Sequence, residues 1–158
     1  MKVIFLRVNM MVKGKKNYEN GTYYIGQFLG GFRHGKGVIY YKNGSILYEG
    51  NFVEGKYDGK GKENYENGTY YIGQFLGGFR HGKGVLYYKN RSILYEGDFA
   101  NDIFEGNGKE IYDNGNYYIG QFLNGYKHGK GIEYNKNGSI LYKGDFAHDH
   151  RKSNCLIF

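Results

Sequence analysis

The sequence predicts an all-β fold: an elongated, single-layer antiparallel meander of stacked β-hairpins. Three observations predict it. The first is a fixed repeat. Tyr24-Ile-Gly-Gln-Phe28 returns as Tyr71-Ile-Gly-Gln-Phe75 and as Tyr118-Ile-Gly-Gln-Phe122, always 47 residues on. A related unit lies between or after them: Tyr48-Glu-Gly-Asn-Phe52, Tyr95-Glu-Gly-Asp-Phe99 and Tyr142-Lys-Gly-Asp-Phe146. The unit is therefore 23 to 24 residues long with an odd/even alternation, the signature of a repeat array. The second is a series of Asn-Gly pairs, the strongest short hairpin signal. The third is a run of short aromatic alternations with no 3.6-residue periodicity.

The elements follow in order. Met1 to Val12 has no counterpart elsewhere and reads as a lead-in or capping segment (residues 1–12). Lys15-Lys-Asn-Tyr-Glu-Asn-Gly-Thr22 matches Lys62-Glu-Asn-Tyr-Glu-Asn-Gly-Thr69, so it is the second half of a unit. Full units run over 24–47, 48–70, 71–94, 95–117 and 118–141, and a truncated sixth starts at Tyr142. The array spans 13–147 and a tail spans 148–158. Within a unit, Thr22–Leu29 reads as the first strand and Gly30-Gly-Phe-Arg-His-Gly35 as a glycine-rich loop. Gly37–Tyr41 is then the second strand, and Asn43-Gly44 turns the chain into the next unit. The turn recurs at Asn20-Gly21, Asn67-Gly68, Asn114-Gly115 and Asn137-Gly138, while Asn90-Arg91 predicts a strained or altered one. About 12 strands at ~4.8 Å spacing give a sheet roughly 55 Å long.

Side chains alternate across a strand, so Tyr24, Gly26 and Phe28 share one face, as do Tyr48, Gly50 and Phe52. A glycine between two aromatics leaves a gap that a neighbouring ring can cover. Tyr24, Phe28, Tyr48, Phe52, Tyr71, Phe75, Tyr95, Phe99, Tyr118 and Phe122 are the candidate groove aromatics. Tyr18–Gly50 and Tyr65–Gly97 differ only at Ile39/Leu86 and Gly44/Arg91.

Composition bounds the rest. The chain has 28 glycines, 19 tyrosines and 11 phenylalanines, which supply the apolar bulk in the absence of tryptophan. A single cysteine excludes an intrachain disulfide framework and fits a reducing, cytoplasmic setting. No run is long enough to span a bilayer, and Val3-Ile-Phe-Leu6, interrupted by Arg7, does not read as a signal peptide. The net charge of +7 favours acidic partners: membrane, protein or nucleic acid.

Tyr-x-Gly-x-Phe, a glycine-rich stretch and then His34-Gly-Lys-Gly37 resembles the MORN repeat (membrane occupation and recognition nexus). The pattern is repeated at His81-Gly-x-Gly84 and His128-Gly-x-Gly131. The intervening units carry Asp58-Gly-x-Gly61 and Glu105-Gly-x-Gly108, and phenylalanine stands where the family often has tryptophan. The resemblance covers 13–147 and implies a groove-shaped solenoid of hairpins. Members of the family include junctional membrane tethers, a segment of some phosphoinositide kinases, flagellar proteins, cytoskeletal scaffolds and a segment of a histone methyltransferase. No catalytic domain of the sort sometimes fused to such repeats is recognisable in this sequence.

The candidate binding residues are basic. Arg33, His34 and Lys36, then Arg80, His81 and Lys83, then Lys127, His128 and Lys130 occupy equivalent positions that read as hairpin tips along one edge. They recur every four strands, about 19 Å apart. Phe32, Phe79 and Tyr126 beside them are suited to inserting at an interface. That spacing forbids the repeated histidines from sharing a metal ion, since ligands sit ~2 Å from zinc. His148-Asp-His150 with Cys155 is a weak metal candidate that a solvated tail explains better.

Gly30-Gly-Phe-Arg-His-Gly-Lys36 mimics the start of a phosphate loop, but Gly37 stands where Ser or Thr would hold magnesium and no helix follows. No nucleophile–base pair is evident, so no enzyme activity and no cofactor is expected. The aromatic rows could stack bases, but their recurrence at packing periodicity makes nucleic acid a minor option. Cys155-Leu-Ile-Phe158 matches the C-a-a-X prenylation pattern, with His150-Arg-Lys152 as a small basic supplement.

The expected function is a non-catalytic scaffold or adaptor holding a protein partner at or near a membrane or cytoskeletal surface. The alternatives are direct binding of anionic phospholipids such as phosphoinositides, and a regulatory fragment of a larger enzyme such as a phosphoinositide kinase. Open end strands, which template association, make a homodimer an available state.

Overall fold

The computed structural model describes residues 11–152 of the chain. Met1–Met10 and the prenylation candidate Cys155 lie outside the described residues. Thirteen strands form one open sheet in which every strand pairs antiparallel with the next in sequence. They are β1 (Val12–Asn17), β2 (Tyr23–Leu29), β3 (Phe32–Tyr40), β4 (Ile46–Val53), β5 (Lys56–Asn64), β6 (Tyr70–Leu76) and β7 (Phe79–Tyr87). They continue as β8 (Ile93–Ala100), β9 (Ile103–Ile111), β10 (Tyr117–Leu123), β11 (Tyr126–Tyr134), β12 (Ile140–Ala147) and the two-residue β13 (His150–Arg151). The described residues are all-β, as the sequence predicts, and include no helix.

Two turn types alternate between the two edges. At one edge the Asn-Gly turns have only the glycine at positive φ, as in Gly21 at 84° and Gly68 at 86°. The asparagine side chain instead accepts a hydrogen bond from the amide two residues on: Thr22 N donates to Asn20 Oδ1 at 3.0 Å and Ser45 N to Asn43 Oδ1 at 2.9 Å. These are four-residue turns closed by a glycine, not two-residue Asn-Gly hairpins, because the asparagine side chain caps the turn from a right-handed backbone. Arg91 takes the glycine position at φ 71° and keeps the same bond to Tyr88 O, at 2.9 Å. At the other edge both turn residues have positive φ: Gly30 and Gly31 at 58° and 85°, Asn101 and Asp102 at 49° and 70°. That pattern defines the two-residue hairpin whose twist matches that of the strands.

The glycine-rich loop read from the sequence is therefore only Gly30-Gly31. Phe32–Gly35 belong to β3, and Gly35, at φ 58°, forms a bulge opposite Gln27. The Gln27 Oε1 accepts the Lys36 amide there at 2.7 Å.

A second set of glycines, from Gly14 through Gly26, Gly37, Gly50 and Gly61 to Gly144, falls in register on successive strands. They are required by a ring. A Cβ on Gly73 or Gly84 would overlap the phenol of Tyr71, which curls back across its own strand and the next. The covering ring thus comes from the same strand, not from a neighbour. Its hydroxyl donates to the Gln74 carbonyl at 2.9 Å, and Tyr24, Tyr48, Tyr95 and Tyr118 repeat the bond at 2.8 to 3.0 Å. The acceptor is the carbonyl at the bulge, where the ladder is locally disrupted.

The core lies on this one face and is aromatic. Tyr24, Tyr48, Tyr71, Tyr95 and Tyr118 are fully buried. Each meets Phe edge-on from its own strand and from a following unit, as Tyr71 does with Phe75 at 5.2 Å and Phe99 at 5.0 Å. Such pairs each contribute about 0.5–1.5 kcal/mol beyond their burial, so stability is spread along the stack rather than gathered at a centre.

Candidate interaction face

Strand alternation decides which side chains a partner can reach. The aromatics proposed to line a groove do not line one: Tyr24, Phe52, Tyr71, Phe75, Tyr95, Phe99, Tyr118 and Phe122 are buried in the core, with Tyr48, and Phe28 packs edge-on against Tyr24. The reason is the glycine line, which draws each tyrosine ring onto the backbone instead of outward.

The three basic clusters lie within β3, β7 and β11 rather than at turns, and alternation splits each of them. Arg33 turns to the aromatic face, its guanidinium 5.2 Å from the Phe52 ring centre and bonded to the Gly55 carbonyl. Arg80 pairs with Asp102 at 3.1 Å and donates to the Asp102 carbonyl at 2.7 Å. Lys127 meets Glu133 at 2.8 Å, each side chain 13% exposed. His34, His81 and His128 are half-buried, and His81 Nδ1 is buried with no hydrogen-bond partner. Lys36, Lys83 and Lys130 are exposed on the opposite face. The expected row of complete basic trios along one edge is therefore a row of single lysines on a face.

The acids on the aromatic face respond to their surroundings. Burial raises the pKa of Glu63, partly opposed by a hydrogen bond from the Tyr65 hydroxyl, and burial likewise raises that of Glu110. Burial alone would raise Glu133 too, but hydrogen bonds from Lys127 and Arg151 outweigh it and hold the carboxyl below its ordinary range. Burial pushes the Tyr71 and Tyr118 hydroxyls up to about 12, against the pull of Arg80 and Lys127. These phenols stay protonated at neutral pH and serve as hydrogen-bond donors to the backbone. Among the described residues no group of three His, Cys, Asp or Glu side chains is placed to hold a metal ion.

The face that sequence reasoning passed over is the other one. Its signal is the residues between the core positions. Ile25, Val38, Glu49 and Lys62 stand side by side on β2 to β5, and Ile72, Val85, Glu96 and Lys109 repeat them on β6 to β9. Ile119, Ile132 and Lys143 continue the row. Toward the Asn-Gly edge, Tyr23 stacks on Tyr40 at 4.7 Å, Tyr70 on Tyr87 at 4.6 Å and Tyr117 on Tyr134 at 4.7 Å. A lysine ammonium lies over the first ring of each pair: Lys15 at 4.4 Å, Lys62 at 4.7 Å and Lys109 at 4.5 Å. Toward the opposite edge, past the bulges, a second row carries Lys36, Lys83 and Lys130, then an exposed apolar margin that includes Phe32, Leu76, Phe79 and Tyr126.

Two recesses open on this face. One, of about 800 Å³, crosses β1 to β5 over Ile25, Val38, Lys36 and Asn51. The other, of about 660 Å³, crosses β6 to β10 over Ile72, Val85, Lys83 and Asn107.

Comparison with the curated proteins finds no match. Among solved structures, the chain is similar to a protein of unknown function from Bacteroides caccae, at 15% identity and a TM-score of 0.25. The similarity covers 86% of this chain and 50% of that one, so the chain spans half the length of that structure, and a likeness this low carries no argument. The MORN repeat family model matches five consecutive stretches, 24–46, 48–70, 71–93, 95–117 and 118–140. Those stretches coincide with the hairpin units of the sheet, and the chain belongs to the MORN repeat family.

Proposed function

We propose that this chain is a non-catalytic repeat scaffold that docks a protein partner on the open face of its sheet, at or near a membrane or cytoskeletal surface. One observation carries the reading. The aromatic face is consumed by internal packing, whereas the opposite face leaves Ile25, Ile72 and Ile119 each 44–45% exposed at matched positions of the sheet. Apolar side chains set between fixed charges, three times over, suit a partner that reads a surface rather than a small substrate held in a cleft. MORN repeats are in general non-catalytic interaction repeats, which supports the same reading.

The test is a photo-crosslinker placed at Val85 on the open face, against the same group at Asn114 on the turn edge. Capture of one discrete protein at Val85 and not at Asn114 is the expected result. Equal capture at both positions overturns it.

A second reading is direct binding of anionic phospholipid, favoured by the exposed Lys36, Lys83 and Lys130 and by Phe32 and Phe79 at 61% and 51% exposure along the margin. Exposed charges are screened beyond about 8–10 Å. On this reading, co-sedimentation with phosphatidylserine and phosphoinositide vesicles falls between low and physiological salt, and is lost when all three lysines become glutamate. The scaffold reading expects no such salt-sensitive pelleting.

A further inference from the structure

The two recesses of the open face are built alike but charged differently. In the first, Lys13, Lys36 and Lys60 stand on β1, β3 and β5, with the amides Gln27 and Asn51 on the strands between. All three lysines are exposed, and no carboxylate pairs with any of them among the described residues. The one acid lining this recess, Glu49, stands in the neighbouring row opposite Lys62.

At the matching unit 47 residues on, the pattern is neutralised. Lys83 is held by Asp98 at 2.7 Å, where the first copy has Asn51, and Asn107 replaces Lys60. A further 47 residues on, Lys130 lies 3.6 Å from Asp145. Lys36 and Lys83 lie in the stretches 18–50 and 65–97, which differ at only two positions, whereas the residues that change their surroundings, Asp98 and Asn107, fall in the following segment, where the two copies diverge. The lead-in Met1–Met10 contains no acidic residue that could compensate the lysines.

The spacing of the lysines selects the ligand. They sit two strands apart, about 9.6 Å, at ~4.8 Å per strand. The three together span about 19 Å, more than one phosphate or carboxylate can cover. A peptide in the extended polyproline II conformation has three residues per turn and advances about 3.1 Å per residue, so every third side chain returns to the same face after about 9.3 Å. A peptide lying across the strands, along the stack, would bring every third side chain to a lysine. The side chains between would rest on Ile25 and Val38, which form the apolar floor.

We propose that the N-terminal recess binds an extended acidic segment of a protein partner, with a carboxylate at every third residue. This rests on the reading of the open face as a protein-docking surface and adds where, and by what pattern, the partner is read.

The probe is a fluorescein-labelled peptide of four Glu-Val-Ser triplets. Its comparator has the same composition with the glutamates consecutive. Binding to the full chain is followed by fluorescence anisotropy at low and physiological salt. The triplet peptide is expected to bind about fivefold or more tightly than the comparator, since complementary charge placement gives specificity. Lys36→Glu is expected to weaken it about tenfold, while Lys89→Glu and Lys136→Glu at the turn edge, the same change of charge, leave it within about twofold.

A gain of function guards against misfolding. Asp98→Asn with Asn107→Lys extends the free row from Lys60 through Lys83 to position 107, and a peptide of eight triplets should tighten on that variant. Equal affinity for both peptides, no response to Lys36→Glu, or no gain in the double variant overturns the proposal. So does displacement of the peptide by single-stranded DNA or phosphatidylserine vesicles with the same lysine dependence, which would assign the row to those anions. None of these outcomes touches crosslinking at Val85, which tests the docking surface separately.

Discussion

A single side chain sets the geometry of each unit. Tyr71 needs glycine beneath its ring twice, at positions 73 and 84, and needs the bulge carbonyl of Gln74 as the acceptor for its hydroxyl. Gly73→Ala would drive a methyl group into that phenol and to 2.6 Å from the Gly84 Cα. A loss of about 2 kcal/mol is expected, as for other overpacked cores. Tyr71→Phe strands the carbonyl and should cost about 1 kcal/mol. The two changes share an atom, because the phenol oxygen is part of the clash. The double variant should therefore lose less than the sum of the singles in urea unfolding. Strict additivity would show that the ring and the glycine do not constrain one another.

At the scale of the element, much was legible and some was not. Strand number and order followed from the turn signals and the aromatic alternation: about 12 strands were expected and 13 are described, in sequential order. The first half of β3 was not legible. Gly35 and Gly37 sit close together there, and glycine ordinarily weakens a strand. Here Gly37 is required by the Tyr24 ring and Gly35 by the bulge. Reading Phe32–Lys36 as loop placed Arg33 and Lys36 on one tip, whereas strand alternation sends them to opposite faces. The open face was missed for the complementary reason: attention to the tyrosines hid the residues between them.

Of the strained or altered turn expected at Asn90-Arg91, the structure has the strained form, with the hydrogen bond of the sister turns kept. Arg91 occupies a left-handed backbone position that glycine fills in the sister turns, at a cost of roughly 1–2 kcal/mol for a side-chain-bearing residue. Arg91→Gly should therefore stabilise the chain by about 1 kcal/mol, raising its thermal midpoint. An unchanged midpoint would mean that the arginine side chain offsets its own backbone strain.

For the whole molecule, stability is a sum over neighbours. Excising Tyr71–Tyr117 joins Tyr70 to Tyr118 and regenerates the Thr-Tyr-Tyr-Ile-Gly-Gln-Phe segment at the junction. The shortened chain should fold, with the same circular dichroism per residue and a lower denaturation midpoint, as expected for a one-dimensional array. Loss of all structure would reveal a long-range dependence that the strand order does not contain. The sequential order has a further, mechanical consequence. In an antiparallel sheet the backbone hydrogen bonds run from strand to strand, so here they lie along the long axis of the stack. Tension applied between the two ends would put every ladder in series under the same force, and they would open one after another rather than together. A cell pulling on this chain would meet a compliant link that lengthens hairpin by hairpin at low force and re-forms when the load is removed.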